Sequence, residues 1–170
     1  MRKIYQYFLL LSLALPLASC DSEFDDDLVR DSQPDVPVTF TGATTNGFNP
    51  YYTVSITGNK VLSLTLAIPV ETGRTFKSLK KVTAGSTALL PGSLYDDTVK
   101  PIAADVPVTG TSVVFSMTFD EYNAKLTGNG DKTPATVAAG ALVERQFLFR
   151  IVLDDDSEIV AVPCRIRFTP

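Results

Sequence analysis

The side chains that could carry out chemistry in this chain are few, and most of them are carboxylates. The 170 residues include no histidine and two cysteines, Cys20 and Cys164. Without histidine the chain lacks the most common general base, the usual serine and cysteine catalytic triads, and the imidazole ligands of most zinc and copper sites. A catalytic site would therefore have to rest on carboxylates or on a thiol.

The carboxylates cluster in three places that we predict to be turns or strand ends, namely Asp96-Asp97, Asp120-Glu121 and Asp154–Glu158. A glycosidase needs two acids held several ångströms apart in a cleft. Neighbouring acids on an exposed turn do not hold two differently tuned pKa values, so we predict no catalytic site, no enzyme and no cofactor. We also predict no metal site, with calcium at Asp154–Glu158 as the alternative, although that run lacks the glycine and spacing of an EF-hand loop.

Cys164 lies in an alternating run that places it on the same predicted inward face as Val162 and Ile166. A buried lone cysteine usually behaves as a small apolar residue. A reactive thiol would need exposure and nearby cations, but Arg165 and Arg167 point to the opposite face of an ideal strand. The pattern therefore predicts an inert thiol.

Four aromatic residues near predicted loops could stack against a sugar: Phe48, Tyr51, Tyr52 and Tyr95. Aromatic rings at strand ends also pack against the edge of a core. For Asn49–Tyr52 we favour packing over a ligand site.

The N-terminal residues 1–19 have the three parts of a secretion signal. Arg2 and Lys3 give a positive start, Phe8–Leu15 is an apolar run, and Ala18 and Ser19 are small. The apolar run is about half of the roughly 20 residues that a membrane-spanning helix needs. We therefore predict a cleaved signal peptide.

The four residues Leu17-Ala18-Ser19-Cys20 close that signal. They resemble the lipobox of bacterial lipoproteins, in which an apolar residue and two small residues precede a cysteine. The resemblance implies that the Cys20 thiol carries a diacylglycerol and that cleavage precedes Cys20. In that family the new amino terminus is often acylated, for example with palmitate. The implied partner is a membrane, because each buried methylene contributes ~0.8 kcal/mol and two or more chains anchor a protein stably.

Residues 20–35 form a predicted acidic, disordered tether, with seven acidic residues against one arginine. Blocks of like charge repel one another and stay extended. Within the tether, Asp25, Asp26 and Asp27 look like the export signal of surface lipoproteins in the Bacteroidota. That resemblance implies an outer-membrane, lipid-anchored protein at the cell surface, and the alternative is a plain linker facing the periplasm.

Residues 36–170 carry twelve acidic and twelve basic residues and are therefore neutral. A neutral domain offers no electrostatic footprint for DNA or RNA, so we predict no nucleic-acid partner. Its length fits one domain of ordinary size.

Alternation of apolar and polar residues predicts that this domain is built from β-strands. The strong strands are Tyr52–Thr57, Lys60–Ile68, Ser112–Phe119, Arg145–Leu153 and Glu158–Phe168, and weaker ones are Val36–Thr41 and Leu79–Ala84. One short helix is predicted over Phe119–Leu126. About seven short strands with turn signals between them favour an all-β fold, an antiparallel immunoglobulin-like β-sandwich, with a closed barrel as the alternative.

Several details of this fold are specific enough to be tested. Gly58-Asn59 predicts a two-residue hairpin turn between the first two strong strands. Asp154–Ser157 is a predicted hairpin loop, and Pro163 predicts a bulge or an edge position. Gln146 and Arg150 are predicted to point outward.

The predicted hairpin from Arg145 to Phe168, with its acidic turn and its Arg-Ile-Arg-Phe ending, looks like the closing hairpin of immunoglobulin-like domains in Bacteroidota surface lipoproteins. That resemblance implies a fold and a location but names no activity. We therefore expect a surface lipoprotein with a non-enzymatic binding or accessory domain for a glycan or an envelope protein. The alternative is a structural or assembly subunit of a cell-envelope complex. Glycan binding predicts exposed aromatics in one patch, whereas assembly predicts an exposed strand edge and an apolar patch.

Overall fold

Two β-sheets dominate the part of the chain that the computed structural model describes, which is residues 36–45, 49–126 and 131–170. The predicted signal peptide, the tether with Cys20 and Asp25–Asp27, and Phe48 lie outside these described residues.

The strands, numbered along the chain, are β1 (Thr39–Phe40), β2 (Tyr51–Ser55), β3 (Val61–Ala67), β4 (Phe76–Gly85), β5 (Ala103–Gly110), β6 (Ser112–Thr118), β7 (Val143–Leu153), β8 (Glu158–Val160) and β9 (Cys164–Thr169). The smaller sheet has the order β1-β3-β6. The larger sheet has the order β2-β9-β7-β4-β5, with β8 also paired to β7. Two sheets around a common core confirm the prediction of an all-β sandwich.

The core lies between the two sheets, where each strand turns its apolar face inward. Alternate residues of β3 and β7 are fully buried, as their spacing predicts: Leu62, Leu64, Leu66, Phe147, Phe149, Ile151 and Leu153. At the centre, the ring of Phe149 lies 5.8 Å from that of Phe40 and 5.5 Å from that of Phe115, measured between centroids. Such aromatic pairs contribute about 0.5–1.5 kcal/mol beyond the area they bury.

The predicted hairpin around Gly58-Asn59 was wrong. β2 pairs with β9 in the larger sheet, whereas β3 pairs with β1 and β6 in the smaller one. The pairing of β2 with β9 is parallel, so the prediction of a purely antiparallel sandwich was also wrong. The reason is that alternation reports which face of a strand is buried and does not report its neighbour. Both strands face one core, from opposite sheets.

The predicted last strand is interrupted at residues 161–163. The two pieces, β8 and β9, pair with the same edge of β7, at Arg150–Val152 and at Val143–Phe147. Pro163 lies in the interruption, where its missing N–H breaks no ladder hydrogen bond. Val162 is 48% exposed, so its predicted inward position was wrong.

β5 has no counterpart in the sequence prediction. Its alternation is disturbed by Asp105, whose φ of 49° is left-handed, and by Pro107, a residue that is rare inside strands. Its partner β4 extends the weak strand predicted at Leu79–Ala84 to Phe76–Gly85.

The outer face of the larger sheet is partly covered by the β4–β5 connection, residues 86–102, whose 3-10 turn at Pro91–Leu94 packs against β4 and β7. Leu148 is fully buried on this outer face, and Gln146 is 4% exposed. The Gln146 side chain donates a hydrogen bond of 2.5 Å to the carbonyl of Leu89. Gln146 therefore points away from the core as predicted, but it does not reach solvent.

The one α-helix of the described residues, α1 (Phe119–Lys125), confirms the predicted helix. It begins with a capping box, because Glu121 N–H donates to the hydroxyl of Thr118 and Thr118 N–H donates to the carboxylate of Glu121. No helix in the described ranges is long and apolar enough to cross a bilayer.

Candidate functional site

The acidic residues that connect β7 to β8 and begin β8 form ion pairs with basic side chains of β4, of β7 and of the segment just before β4. The ion pairs are Asp154 and Asp155 with Arg74, Asp156 with Lys77, and Glu158 with Lys80 and Arg150. These carboxylates pair with several separate basic side chains and do not converge on one point. Within residues 36–45, 49–126 and 131–170, no group of three or more Cys, Asp or Glu side chains could hold a metal ion.

Hydrogen bonds lower the pKa of one carboxyl in each predicted acidic cluster, at Asp96, Glu121 and Glu158. The main donors are the Thr98 hydroxyl, the Thr118 backbone N–H and the Lys80 ammonium, respectively. A general acid at neutral pH needs the opposite shift, toward a higher pKa. Asp96 therefore stabilises a turn, Glu121 a helix start and Glu158 the ion pairs between strands, and their pKa shifts do not favour proton transfer at neutral pH.

Cys164 is fully buried on the inner face of β9, opposite Phe147. Burial raises the pKa of its thiol to about 12. At neutral pH almost none of it is thiolate, the nucleophilic form. The structure therefore agrees with the predicted inert, core-packing role.

The tyrosines do not assemble into one platform among the described residues. Tyr51 packs under Arg167, with 3.9 Å from guanidinium carbon to ring centroid, and Tyr95 packs under Arg150 at 4.4 Å. Tyr52 instead ties the sheets together, since its hydroxyl donates to the Thr41 carbonyl at 2.7 Å. Tyr52 thus has the core-edge role favoured for Asn49–Tyr52.

A buried ion-pair cluster on the outer face of the larger sheet was not predicted. The Glu144 side chain is 7% exposed and accepts hydrogen bonds from Arg165 at 3.2 Å and from Arg167 at 2.8 Å. The outward direction of both arginines was predicted, but their partner was not. This pairing depends on the cross-strand register, which places Glu144 directly opposite Arg167 and which no local pattern in the sequence gives.

The sandwich has an open side, which we define as the side where β5 and β6 diverge into different sheets. These strands follow each other through Gly110 and Thr111, yet each is an edge strand of a different sheet. Between them lies a mostly apolar cleft of about 330 Å³. Its lining includes Leu79, Val106, Val108, Phe115 and Met117, with Glu121 and Lys125 of α1 also present.

The two strands that border this cleft differ in how their edges are protected. β5 carries Pro107 and the left-handed Asp105, two devices that discourage a further strand from pairing. β6 has the sequence Ser-Val-Val-Phe-Ser-Met-Thr, with neither charge nor proline, and Val114 on it is 60% exposed. Within the described part of the chain, no strand pairs with the outer edge of β6.

Comparisons with known proteins found no relative for this chain. No protein-family model matches it, and no curated protein and no solved structure does either. Its function is therefore inferred from its own residues.

Proposed function

We propose that this protein is a lipoprotein anchored in the outer membrane through Cys20 and displayed at the cell surface, and that its β-sandwich is a non-enzymatic binding or accessory module for a protein partner. The anchor is supported by Leu17-Ala18-Ser19-Cys20 after a short apolar run, and the surface location by Asp25–Asp27. A subunit of an envelope assembly is the closely related second candidate, because it would use the same surface.

The observation that carries the binding role is the open side of the sandwich. An unpaired strand edge beside an apolar cleft is the geometry by which β-sheet proteins take up an extended polypeptide: the backbone supplies hydrogen bonds and the cleft accepts alternate side chains. A glycan platform has less support. Of the described aromatic side chains, Tyr95 alone is more than half exposed, and one face of its ring is occupied by Arg150.

We further infer that the sandwich has an immunoglobulin-like arrangement. The order β1-β3-β6 corresponds to strands A-B-E of that fold, and β9-β7-β4 corresponds to G-F-C. Loops and edges of such sandwiches serve many unrelated binding roles, so the arrangement by itself supports no particular ligand.

The anchor is tested by Cys20→Ala in the full chain. This variant should no longer incorporate labelled fatty acid and should leave the detergent phase, because the lipidated thiol is gone. Cys164→Ala removes the other cysteine and should stay lipidated. Fatty-acid incorporation by Cys20→Ala would contradict the lipobox interpretation.

The surface location is tested by replacing Asp25, Asp26 and Asp27 together with Asn. The variant should remain lipidated but become resistant to protease added to intact cells, because the export signal has lost its charge. A matched control replaces Glu23, Asp31 and Asp35 by their amides, which changes the tether charge equally and should leave exposure unchanged. Wild-type protein that is cut only after outer-membrane lysis would refute the surface location.

The binding role is tested by a photo-crosslinking amino acid at Val114, on the free edge, in the full lipidated chain in cells. Irradiation should attach a polypeptide to this position. The control is Val70, which is 73% exposed and does not line the cleft. A Val114 probe that captures no polypeptide would remove the support for a protein-binding module.

A further inference from the structure

We propose that the free edge of β6 pairs with the β6 edge of a second copy of this chain, in antiparallel register about Val114, so that two sandwiches share a continuous sheet. This inference rests on the proposed binding role of the open side and names its partner.

The backbone of β6 determines which residues can pair outward. Phe119 N–H donates to the Lys60 carbonyl, and Ile68 N–H donates to the Thr111 carbonyl, each at 2.9 Å. In an antiparallel pair with regular register, every second residue bonds to the partner strand and the residues between point their N–H and C=O groups away. The odd-numbered residues of β6 therefore bond to β3, and the even-numbered ones face the free edge.

Ser112, Val114 and Ser116 are the residues whose backbone groups this alternation leaves for a partner. Thr118 is even-numbered too, but its N–H is bonded to the Glu121 carboxylate in the capping box at 2.7 Å. The three available residues are symmetric about Val114. A two-fold axis there places Val114 opposite Val114 of the second copy and Ser112 opposite Ser116, so that all three residues pair on each side.

The side chains suit the same register. The outward-facing side chains are those of Ser112, Val114 and Ser116. The two-fold axis therefore pairs valine with valine and serine with serine, and no charge faces a like charge. On the core side, the same register places Val113 of one copy opposite Phe115 of the other. Val113 and Met117 are half-buried in the single chain, and a further strand would cover their open flank.

Neither the charge of the sandwich nor the far edge of the smaller sheet opposes this pairing. The sandwich, residues 36–170, has equal numbers of acidic and basic residues, so there is no net charge repulsion between the two sandwiches themselves. The opposite edge of the smaller sheet is the two-residue β1, which offers little to a third copy. An isologous contact about one axis therefore closes as a dimer and does not propagate.

Disulfide trapping tests the register in the full lipidated chain, in membranes. Cys20 is committed to lipid in the proposed function and Cys164 is buried, so an introduced cysteine is the reactive thiol. Val114→Cys alone should give a covalent dimer under mild oxidation, because the two thiols meet at the axis. Ser112→Cys and Ser116→Cys should each give little dimer alone and a heterodimer when the two variants are co-expressed.

Two controls separate specific pairing from chance collision. Val70→Cys, which is highly exposed on another surface, should form at most background dimer. Val114→Lys should raise the dissociation constant of the detergent-solubilised dimer at least about tenfold in analytical ultracentrifugation, because like charges then lie directly opposite. Its melting temperature should stay near that of the wild type, since the site is exposed. Equal trapping at Val70 and Val114, or a dimer unaffected by Val114→Lys, would overturn the proposed pairing.

The crosslinking probe at Val114 keeps this inference distinguishable from the proposed function. An adduct at twice the mass of the protein, containing two copies of this chain, supports both. An adduct with a different polypeptide overturns the second-copy pairing and leaves the protein-binding role in place. No adduct overturns both.

Discussion

The side chains on the two faces of β7 belong to one strand, yet they are buried in different ways. On the inner face, Phe147, Phe149, Ile151 and Leu153 are all fully buried against the opposite sheet. On the outer face the environment changes along the strand. Leu148 and Gln146 lie under the β4–β5 connection, whereas Arg150 and Glu144 are held in ion pairs.

The difference shows that from residue 147 to residue 153 one alternating pattern describes the burial of the inner face, but describes that of the outer face only in part. From Phe147 to Leu153 the inner face is uniform, because each inward position there meets the same apolar layer of the opposite sheet. An outer face depends on which connections cross it, and these come from elsewhere in the chain. If this view is correct, substitutions on the inner face should cost stability uniformly, and those on the outer face should depend on position.

The largest effect is expected at the centre of the inner face. Phe149→Ala should lower the free energy of unfolding by about 3–5 kcal/mol, because it empties a site where the rings of Phe40 and Phe115 meet. Urea denaturation of the purified protein measures the change. A loss of stability below about 1 kcal/mol would be far smaller than the loss expected for a buried phenylalanine, and it would mean that this face is not the core.

Leu148→Ala on the outer face should cost nearly as much, about 2–4 kcal/mol, because its side chain is also fully buried. Val152→Ala is the matched control, since Val152 lies on the same face but is half-buried beyond the covered end. Its cost should be clearly smaller. Equal costs at the two positions would show that the β4–β5 connection adds no packing energy at Leu148. The cost of a substitution on the outer face would then not depend on its position along the strand.

Glu144→Gln should cost about 1–3 kcal/mol, because the variant weakens charge-assisted hydrogen bonds to Arg165 and Arg167. Both arginines are about one-third exposed, so water can replace part of what is lost. Asp97→Asn, at an exposed turn, serves as a control for removing one acidic charge. A Glu144→Gln variant as stable as this control would indicate that the outer-face ion pairs contribute no stability.

The smallest effect is expected at Arg150. Although this residue contacts both Glu158 and Tyr95, the ion pair is partly exposed to solvent and should contribute about 1 kcal/mol or less. A double-mutant cycle with Arg150→Ala and Glu158→Gln measures the coupling directly. A coupling well above 1 kcal/mol would place this end of the outer face among the strongly stabilising parts of the sheet.

The sequence was sufficient for the core-facing strands whose apolar positions alternate without interruption. Leu62, Leu64 and Leu66 in β3 alternate without interruption, and so do the aromatic positions of β7, because a buried face imposes a period of two. β5 was missed because Asp105 and Pro107 break that period. The burial of Leu148 could not be predicted, because its cover comes from residues more than fifty positions earlier.

The candidate site was less predictable than the fold. The absence of charge and proline in Ser112–Thr118 is visible in the sequence, but whether that strand lies at an edge depends on the order of strands in the sheet. The same holds for Glu144, whose partners are set by register. Pairing between distant strands is the information that local patterns lack.

The position of β9 has a consequence for how the chain reaches this structure. β9 lies between β2 and β7, and its parallel pairing joins Tyr51 to Arg165, across most of the folded sequence. Among the described strands β9 is the one that pairs with β2, so β2 joins the larger sheet only when residues 164–169 have folded. Contacts of such long sequence separation raise the contact order, and folding slows as contact order rises. We therefore expect the larger sheet to close late and slowly, after the local β4–β5 and β8–β7 pairs have formed.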